Sequence, residues 1–348
     1  MRLGMLLRYH GHDLALTEVL EAERLGYTSV WSGEAYGTDA VTPTAWILAR
    51  TTKIKAGTGI MQMQARTPAC TAMTALTLQA LSNNRFLLGI GASGPQVVEG
   101  WHGVPFGKPM ARTREYIEIL RKILKREAPL QHHGELYQIP YTGPGATGLG
   151  KPLKSILHGD PDMPIYAASI TPVGLRTAGE VADGVLPIFM SPEKTTMVTD
   201  PLRAGIAKGI AKGRPGRSLA DFDIAPYVRI AMGPDLQACR DALKPELALY
   251  VGGMGARSKN FYNDVAKQLG YEDAAVKIQD AFLGGRRAEA IAAVPDAFVD
   301  EVSLVGSPER IRDRLQAWKA AGKTHEVGSM LLSGATVESL RVVAEAIL

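Results

Sequence analysis

Two glycine-rich motifs in the chain have the spacing of nucleotide-binding loops. Residues 89–94 read GxGxxG directly after an apolar run, which in a dinucleotide-binding fold opens a helix beneath the pyrophosphate. Pro95 follows at once and the next long helix is predicted near residue 112, so the motif does not indicate a dinucleotide site. Residues 145–151 read GxxxxGK, but Pro152 stands where a phosphate-binding loop needs Ser or Thr, and no strand precedes it.

Two pairs of histidines have spacings that could suggest a metal site. His10 and His12 are separated by one residue, and His132 and His133 are adjacent. Neither pair has a carboxylate or cysteine at ligand spacing, and the chain contains no HExxH motif. The sequence therefore predicts no metal site.

Small and polar residues follow five predicted strands. The strand ends read LRYH at 7–10, WSGEAYG at 31–37, GTGIMQ at 57–62, GIGASGPQ at 89–96 and AASITP at 167–172. In a barrel of parallel strands, chemistry takes place where the strands end and the following loops begin. We therefore expect these five segments to meet at one site.

Alternating strands and helices must position that site. Apolar runs predict strands at 3–7, 29–31, 54–60, 86–90, 164–168, 184–189, 224–232, 300–304 and 328–332. Helical spacing predicts helices at 14–25, 42–50, 68–81, 112–126, 173–182, 195–212, 308–321 and 337–348. About eight strand–helix units favour a closed α/β (β/α)₈ TIM barrel over an open doubly wound sheet.

The chain is longer than a minimal barrel. A (β/α)₈ barrel needs roughly 250 residues, so about 100 remain for insertions. Insertions are predicted near 93–109, 128–163 and 252–295, within a single domain spanning 1–348.

Composition excludes several classes of protein. The 39 basic and 35 acidic side chains give a net charge of only +4, and no basic run suggests nucleic-acid binding. Two cysteines exclude a disulfide framework and fit a cytoplasmic protein. The N-terminal segment has no signal-peptide pattern, and no apolar stretch approaches the roughly 18 residues of a membrane helix.

Several segments together carry a resemblance to a known family. The turn LSNNRFLLGIG at 81–91 resembles the helix-to-strand signature of luciferase-like flavin and deazaflavin oxidoreductases, with Asn84 in place of the usual glycine. The segments SGPQVVEGWHG, KPMARTREY, TGLGKPLK, ALYVGGMGA and NFYNDVA are similar to coenzyme F420-dependent oxidoreductases related to methylenetetrahydromethanopterin reductase. The similarity runs from the first strand to the last helix and implies a bacterial-luciferase-like barrel.

The resemblance implies a flat tricyclic ring at the carboxyl-terminal mouth of the barrel. Family members carry a non-prolyl cis peptide behind the ring, matched here by Gly59–Ile60, and hold the cofactor phosphate in the loop after strand five. The predicted cofactor-binding residues are Gly59, Ile60, Gly91, Ser93, Gly94, Gln96, Ala168, Ser169, Ile170 and Thr171. The alternatives are a plain strand end at 59–60, a tight loop without ligand at 91–96 and simple helix capping by Ser169 and Thr171.

Glu34 is the predicted catalytic residue. It lies just past strand two, where relatives often have an acidic residue followed by histidine, and here Ala35 replaces the histidine. Glu34 could protonate the substrate or bond to the ring, and the alternative is a helix-cap or salt-bridge carboxylate. Weaker candidates for the substrate side are Tyr9, Tyr36, Glu99 and His102.

The resemblance predicts a cytoplasmic F420-dependent oxidoreductase that moves a hydride between deazaflavin C5 and a small organic substrate. Two alternatives are an FMN-dependent monooxygenase on the same barrel and a non-catalytic F420-binding protein. Relatives form homodimers through the helices after strands two and three, so we expect a homodimer or higher homo-oligomer. The residues expected at that interface are Ala45, Ile47, Leu48, Ala72, Met73 and Leu76.

Overall fold

The computed structural model describes residues 1–7 and 14–348. The predicted substrate-side residue Tyr9 lies outside the described residues. Strands β1 to β13 span Arg2–Leu6, Ser29–Ser32, Lys55–Thr58, Met61–Gln62, Phe86–Gly91, His132–His133, Gln138–Ile139, Ile165–Ala168, Gly184–Leu186, Asp223–Ile224, Tyr227–Met232, Ser303–Gly306 and Ser329–Ser333.

The helices surround these strands. Helices α1 to α14 span Leu16–Leu25, Val41–Arg50, Pro68–Ser82, Pro95–Gly100, Pro109–Lys125, Pro172–Val181, Thr196–Ala211, Leu236–Ala248, Phe261–Gln268, Glu272–Leu283, Arg287–Ala292, Asp296–Val302, Pro308–Lys323 and Val337–Ile347. A π-helical turn at Leu249–Gly253 follows α8. None of these helices is both long and apolar enough to cross a membrane.

The parallel strands of the described residues close into the predicted barrel. The order around the sheet is β9, β8, β5, β3, β2, β1, β13 and β11, with β12 paired to the carboxyl-terminal half of β11. Strand β4 extends the third strand by pairing with β5. Strands β10 and β11 form one bent strand that closes the circle. On one side Tyr227 N–H donates to the Pro187 carbonyl at 3.0 Å, and on the other Leu331 N–H donates to the Pro226 carbonyl at 3.0 Å.

Proline starts many of the helices that follow strands. Pro68, Pro95, Pro109, Pro172 and Pro308 occupy the first turns of α3, α4, α5, α6 and α13. Proline suits this position because its fixed φ fits the helix and its missing N–H would have no intrahelical partner. Hydroxyl groups of the preceding residues cap α3, α6 and α13.

The barrel lumen is filled by side chains of alternate strand residues. Its buried residues are Trp31, Leu87, Tyr166, Leu186, Ala225 and Leu331. The rings of Trp31 and Tyr166 meet edge to face with centroids 5.0 Å apart. Partly buried Leu6, Ile60, Ala168 and Tyr227 pack on this cluster. The lumen is therefore a packed core, and these four partly buried residues line the base of its mouth.

Helix α6 is held tightly by its neighbours. An added Cβ at Gly205 of α7 would overlap the backbone of Arg176, so the two helices pack backbone to backbone. The buried carboxylate of Glu180 accepts from Arg114 at 2.9 Å, Lys208 at 3.0 Å and Lys212 at 2.6 Å. Burial alone would raise the pKa of Glu180, but the three cations outweigh it and lower the pKa to about 2.

Four predicted elements differ from the structure. The strand predicted at 300–304 is present but begins only at Ser303, since helix α12 continues to Val302. Pro95 starts a short helix, and the long helix predicted from 112 begins at Pro109. The strand at 224–232 is interrupted at 225–226, where Pro226 has no N–H for the ladder. The 252–295 segment is largely helical and has its own apolar core.

Candidate functional site

A cis peptide bond joins Gly59 to Ile60 between β3 and β4, as the resemblance implied. The Tyr227 hydroxyl donates to the Gly59 carbonyl at 2.8 Å, from β11 across the lumen to the end of β3. Burial raises the pKa of the Tyr227 phenol, so the hydroxyl keeps the proton that it donates. Sequence reasoning did not single out Tyr227, because 168 residues separate the two partners.

Three of the predicted cofactor residues come together next to this bond. A Cβ added to Gly91 would lie 2.9 Å from Ile60 Cδ1 and 3.5 Å from the Ala168 Cβ. Contacts that short require a neighbour to move, so glycine at 91 is what lets the Ile60 side chain pack directly against the backbone of β5. Ile60, which directly precedes β4, and the carboxyl ends of β5 and β8 therefore meet at an apolar surface, which we call the Gly91 ledge (Ile60, Gly91 and Ala168).

Glu34 braces the loop that carries the cis bond. One of its carboxylate oxygens accepts from the Gln62 N–H at 2.9 Å and from Arg66 Nη1 at 2.7 Å. The Glu34 side chain is only 9% exposed and that of Arg66 18%. Burial alone would lower the pKa of Arg66, but its hydrogen bond to Glu34 and the charge of Glu34 raise it. The salt-bridge alternative for Glu34 is therefore present in the structure.

A buried hydrogen-bond acceptor without a partner lies beside the Glu34–Arg66 ion pair. Gln62 is fully buried, and its Nε2 donates to the Ala35 carbonyl at 2.8 Å. Its Oε1 has no hydrogen-bond partner within the described ranges, and neither has the buried Nε2 of His102. Buried polar atoms are normally satisfied, so both atoms retain the capacity to bind a ligand group or water.

The loop after β8 ends in a capped helix. The Thr171 hydroxyl accepts from the Gly174 N–H at 3.1 Å, and the Ser169 hydroxyl lies against Gly174. Only glycine fits at position 174, because an added Cβ would overlap Ser169 Oγ. Ser169, Ile170 and Thr171 are each partly exposed. The start of α6 therefore presents two hydroxyl groups and the free N–H groups of a helix N-terminus.

The remaining predicted residues are more scattered. Ser93 adopts a left-handed conformation with φ 55° beside Gly94, which precedes α4. Gln96 is exposed, and Glu99 is exposed and accepts from the Phe106 N–H at 3.1 Å. Tyr36 is 60% exposed. Glu99 therefore stabilises the loop of the 93–109 insertion.

An ion pair that sequence analysis did not identify lies on the opposite side of the mouth. Arg229 of β11 pairs through both Nη atoms with the two carboxylate oxygens of Glu246 on α8. Burial lowers the pKa of Arg229 to about 10. No sequence motif marks this pair, since the two residues belong to different elements.

Within residues 1–7 and 14–348, no group of three His, Cys, Asp or Glu side chains is arranged to hold a metal ion. His132, one of the histidines considered above, instead contacts the Glu115 carboxylate at 3.2 Å. That carboxylate also accepts N–H groups from the turn of the β6–β7 hairpin. This cluster holds the hairpin against α5.

Comparisons with known proteins agree with this geometry. The family model described as luciferase-like monooxygenase matches residues 8–325. A Mycobacterium tuberculosis (strain ATCC 25618 / H37Rv) protein named "Putative coenzyme F420-dependent oxidoreductase" is 42% identical over 350 aligned positions, covering 99% of this chain and 98% of the relative.

Solved structures share the same fold. The coenzyme F420-dependent tetrahydromethanopterin reductase from Methanopyrus kandleri superposes with a TM-score of 0.80 at 22% identity, covering 99% of this chain and 98% of that one. An F420-dependent secondary alcohol dehydrogenase, solved with an F420-acetone adduct, gives 0.74 at 18% identity, covering 100% and 98%. Both likenesses extend over the whole barrel and its insertions. The chain belongs to the luciferase-like monooxygenase family.

Proposed function

We propose that this protein is an oxidoreductase that binds coenzyme F420 at the mouth of the barrel and exchanges a hydride with a small organic substrate. The observation that carries the proposal is the Gly91 ledge, where Ile60 and the ends of β5 and β8 present an apolar surface at the Gly59–Ile60 bond. The relative that is 42% identical over nearly the whole chain is named for the same cofactor.

The residues present fit a flat, polar-edged ring. Gly91 lets the Ile60 side chain lie on the backbone of β5, Ala168 adds only a methyl group beside it, and the unpartnered Gln62 Oε1 is an acceptor near the Gly91 ledge. F420, when bound, supplies a hydride carried at the deazaflavin C5. Ile60 would support one face of the ring, while Tyr227 and Glu34 fix the segment that presents Ile60. The contribution of the protein is then mainly orientation.

The start of α6 is proposed to hold the cofactor phosphate. The hydroxyls of Ser169 and Thr171 lie at a helix N-terminus, where free N–H groups and the helix dipole favour an anion. Glu180 and its three cations fix the far end of the same helix. Exposed Arg176 and Lys151 could attract the acidic tail of F420, so affinity should weaken as salt rises.

A direct test compares two cofactors on the purified protein. F420 should bind at least about tenfold more tightly than FMN, which corresponds to about 1.4 kcal/mol. Fluorescence titration of each cofactor under the same buffer conditions measures both affinities. Tight FMN binding without measurable F420 binding would instead support an FMN-dependent monooxygenase. F420 binding with no turnover on any tested alcohol, ketone or imine would support a binding protein.

We also propose that the protein is a homodimer through the exposed faces of α2 and α3. Of the expected interface residues, Ile47, Leu48, Ala72 and Leu76 were wrong, since they are buried in the core. The same helices expose Trp46 by 48% and Met73 by 62%. An exposed indole and thioether on neighbouring helices form the kind of apolar surface that interfaces cover.

Introducing a charge at this surface should separate the subunits. Met73→Arg should raise the dimer dissociation constant at least about 100-fold, because an unpaired charge would be buried at the interface. Light scattering at micromolar concentration measures the assembly. Val276→Arg, at a similarly apolar exposed site on α10, is the matched control and should not alter it. A wild-type protein that is already monomeric would contradict the dimer.

We further propose a cytoplasmic location. Cys70 and Cys239 are both free thiols, as expected in a reducing compartment. Fractionation of source cells with an antibody against the protein would test this, and recovery from the membrane or the medium would refute it.

A further inference from the structure

The strands around the mouth divide it into two halves. The Gly91 ledge and the loop after β8 occupy the adjacent strands β3 to β8 in the barrel order. Strands β1, β13 and β11 form the other half and belong to no predicted cofactor contact. If the cofactor ring lies on the first half of the mouth, residues of the second half are placed to hold the substrate against it.

Arg229 points into the second half. Side chains alternate along a strand, and Val228 and Ile230 pack in the core outside the barrel while Tyr227 packs on the lumen. Arg229 therefore faces the same way as Tyr227 and lies about 7 Å further toward the carboxyl end. Its side chain is 19% exposed, so most of the guanidinium stem is enclosed.

The partner of Arg229 is less firmly held than Arg229 itself. Glu246 lies on α8 and is 40% exposed, and its carboxylate forks onto both Nη atoms of Arg229. A forked contact of this type is the geometry that carboxylates adopt with arginine. The strand fixes the cation, while rotation of one glutamate side chain toward solvent would free it.

Aromatic side chains border this ion pair. Burial raises the pKa of the Tyr250 phenol, and the positive charge of Arg229 partly offsets the rise, which indicates that the two groups are close. Tyr250 packs edge to face on Phe189 at 5.7 Å and on Tyr262 at 4.8 Å. The charge of Tyr36, whose side chain is 60% exposed, raises the pKa of Tyr250 further. The Arg229 guanidinium therefore lies beside a cluster of aromatic side chains.

We propose that Arg229 anchors the substrate by a carboxylate group, and that Glu246 occupies the same fork until the substrate displaces it. The substrate class is then an organic acid with an apolar or aromatic body, which packs against Tyr250 and Tyr36. This inference names the substrate of the proposed oxidoreductase and rests on that function for its catalytic meaning. Binding of the acid itself does not require the cofactor.

The test uses benzoate as the carboxylate probe and benzamide as its neutral counterpart. Calorimetric titration is done on the full-length protein with and without F420, and F420 affinity is measured separately for each variant. Glu246→Gln should tighten benzoate binding at least about fivefold, because the competing carboxylate is lost. Arg229→Gln should weaken it at least about tenfold, and Arg229→Lys should also weaken it by losing the fork. Benzamide binding should change less than about twofold in all three variants.

The matched control concerns another ion pair of the same helix. Asp300→Asn, on α12, removes one of the two carboxylate partners of Arg240 on α8, whose side chain is also 19% exposed, and should leave benzoate binding unchanged. If Glu246→Gln lowers stability as much as the control does and leaves benzoate binding unaltered, the pair only fastens α8 and the proposal is overturned. Benzoate that binds Arg229→Gln as well as wild type overturns it too. Loss of F420 binding by the wild-type protein would instead refute the proposed function, while the benzoate results would still stand.

Discussion

Gly91→Val should reduce F420 affinity at least about 100-fold, or about 2.8 kcal/mol, while the barrel stays folded. A first side-chain carbon at this position already meets Ile60 Cδ1 at 2.9 Å, so a valine would displace the Ile60 side chain from the Gly91 ledge. Valine is favoured in strands, so β5 itself should tolerate the change. Fluorescence titration with F420 and thermal unfolding of the same sample measure the two effects.

The control for this variant is Gly100→Val. An added Cβ at Gly100 meets nothing within 4 Å, so this change should leave F420 affinity intact. If Gly91→Val binds F420 like the wild type, the ring does not lie on the Gly91 ledge and the proposed site is wrong.

Glu34→Gln should lower both stability and F420 affinity. The change removes the ionic partner of Arg66 and weakens the acceptor of the Gln62 N–H, at a cost of about 2 kcal/mol for a largely buried charge left unpaired. Because Gln62 follows the Gly59–Ile60 bond closely, F420 affinity should fall about tenfold through the displaced ledge. Chemical denaturation measures the free energy of unfolding, and fluorescence titration measures the F420 affinity.

The matched control is Glu23→Gln on α1, whose carboxylate supports the start of β3 as Glu34 supports the segment after its end. Glu23 accepts the N–H groups of Lys53 at 2.6 Å and Ile54 at 2.9 Å, before β3 begins. Its loss should reduce stability without altering F420 affinity. If Glu34→Gln leaves stability and affinity unchanged but abolishes turnover, Glu34 is the catalytic acid of the sequence prediction and not a positioning residue.

The barrel was predictable because each of its units carries local signals. Apolar runs ending in small residues, followed by proline at a helix start, mark β3 to α3 and β8 to α6 without reference to the rest of the chain. The same reasoning started a strand at residue 300, three residues before β12 begins at Ser303. Phe298, Val299 and Val302 are instead the buried face of helix α12. In the sequence, Pro95 argues against a helix at that position, although proline also suits the first turn of a helix.

The backbone part of the site was predictable and the side-chain part was not. The glycine at 91 and the bond at 59–60 stand in segments that resemble a family, so their positions could be carried over. The Glu34–Arg66 pair joins residues 32 positions apart, and the Tyr227–Gly59 contact joins residues 168 apart. No local sequence pattern specifies such partners, because the two residues of each pair come together only when the barrel closes.

Because Tyr227 donates a hydrogen bond to Gly59, strand β11 separates two kinds of crossover point for hybrid enzymes. Recombination between family members on the carboxyl-terminal side of Met232 would exchange α8 and the helical insertion while keeping the native support of the Gly59–Ile60 segment. Recombination before Tyr227 would exchange that support as well, and the incoming strand would need its own tyrosine. Shuffling the last third of the chain would therefore exchange Glu246 and Tyr250 beside the proposed substrate anchor, while Arg229 and the Gly91 ledge stay with the first two thirds.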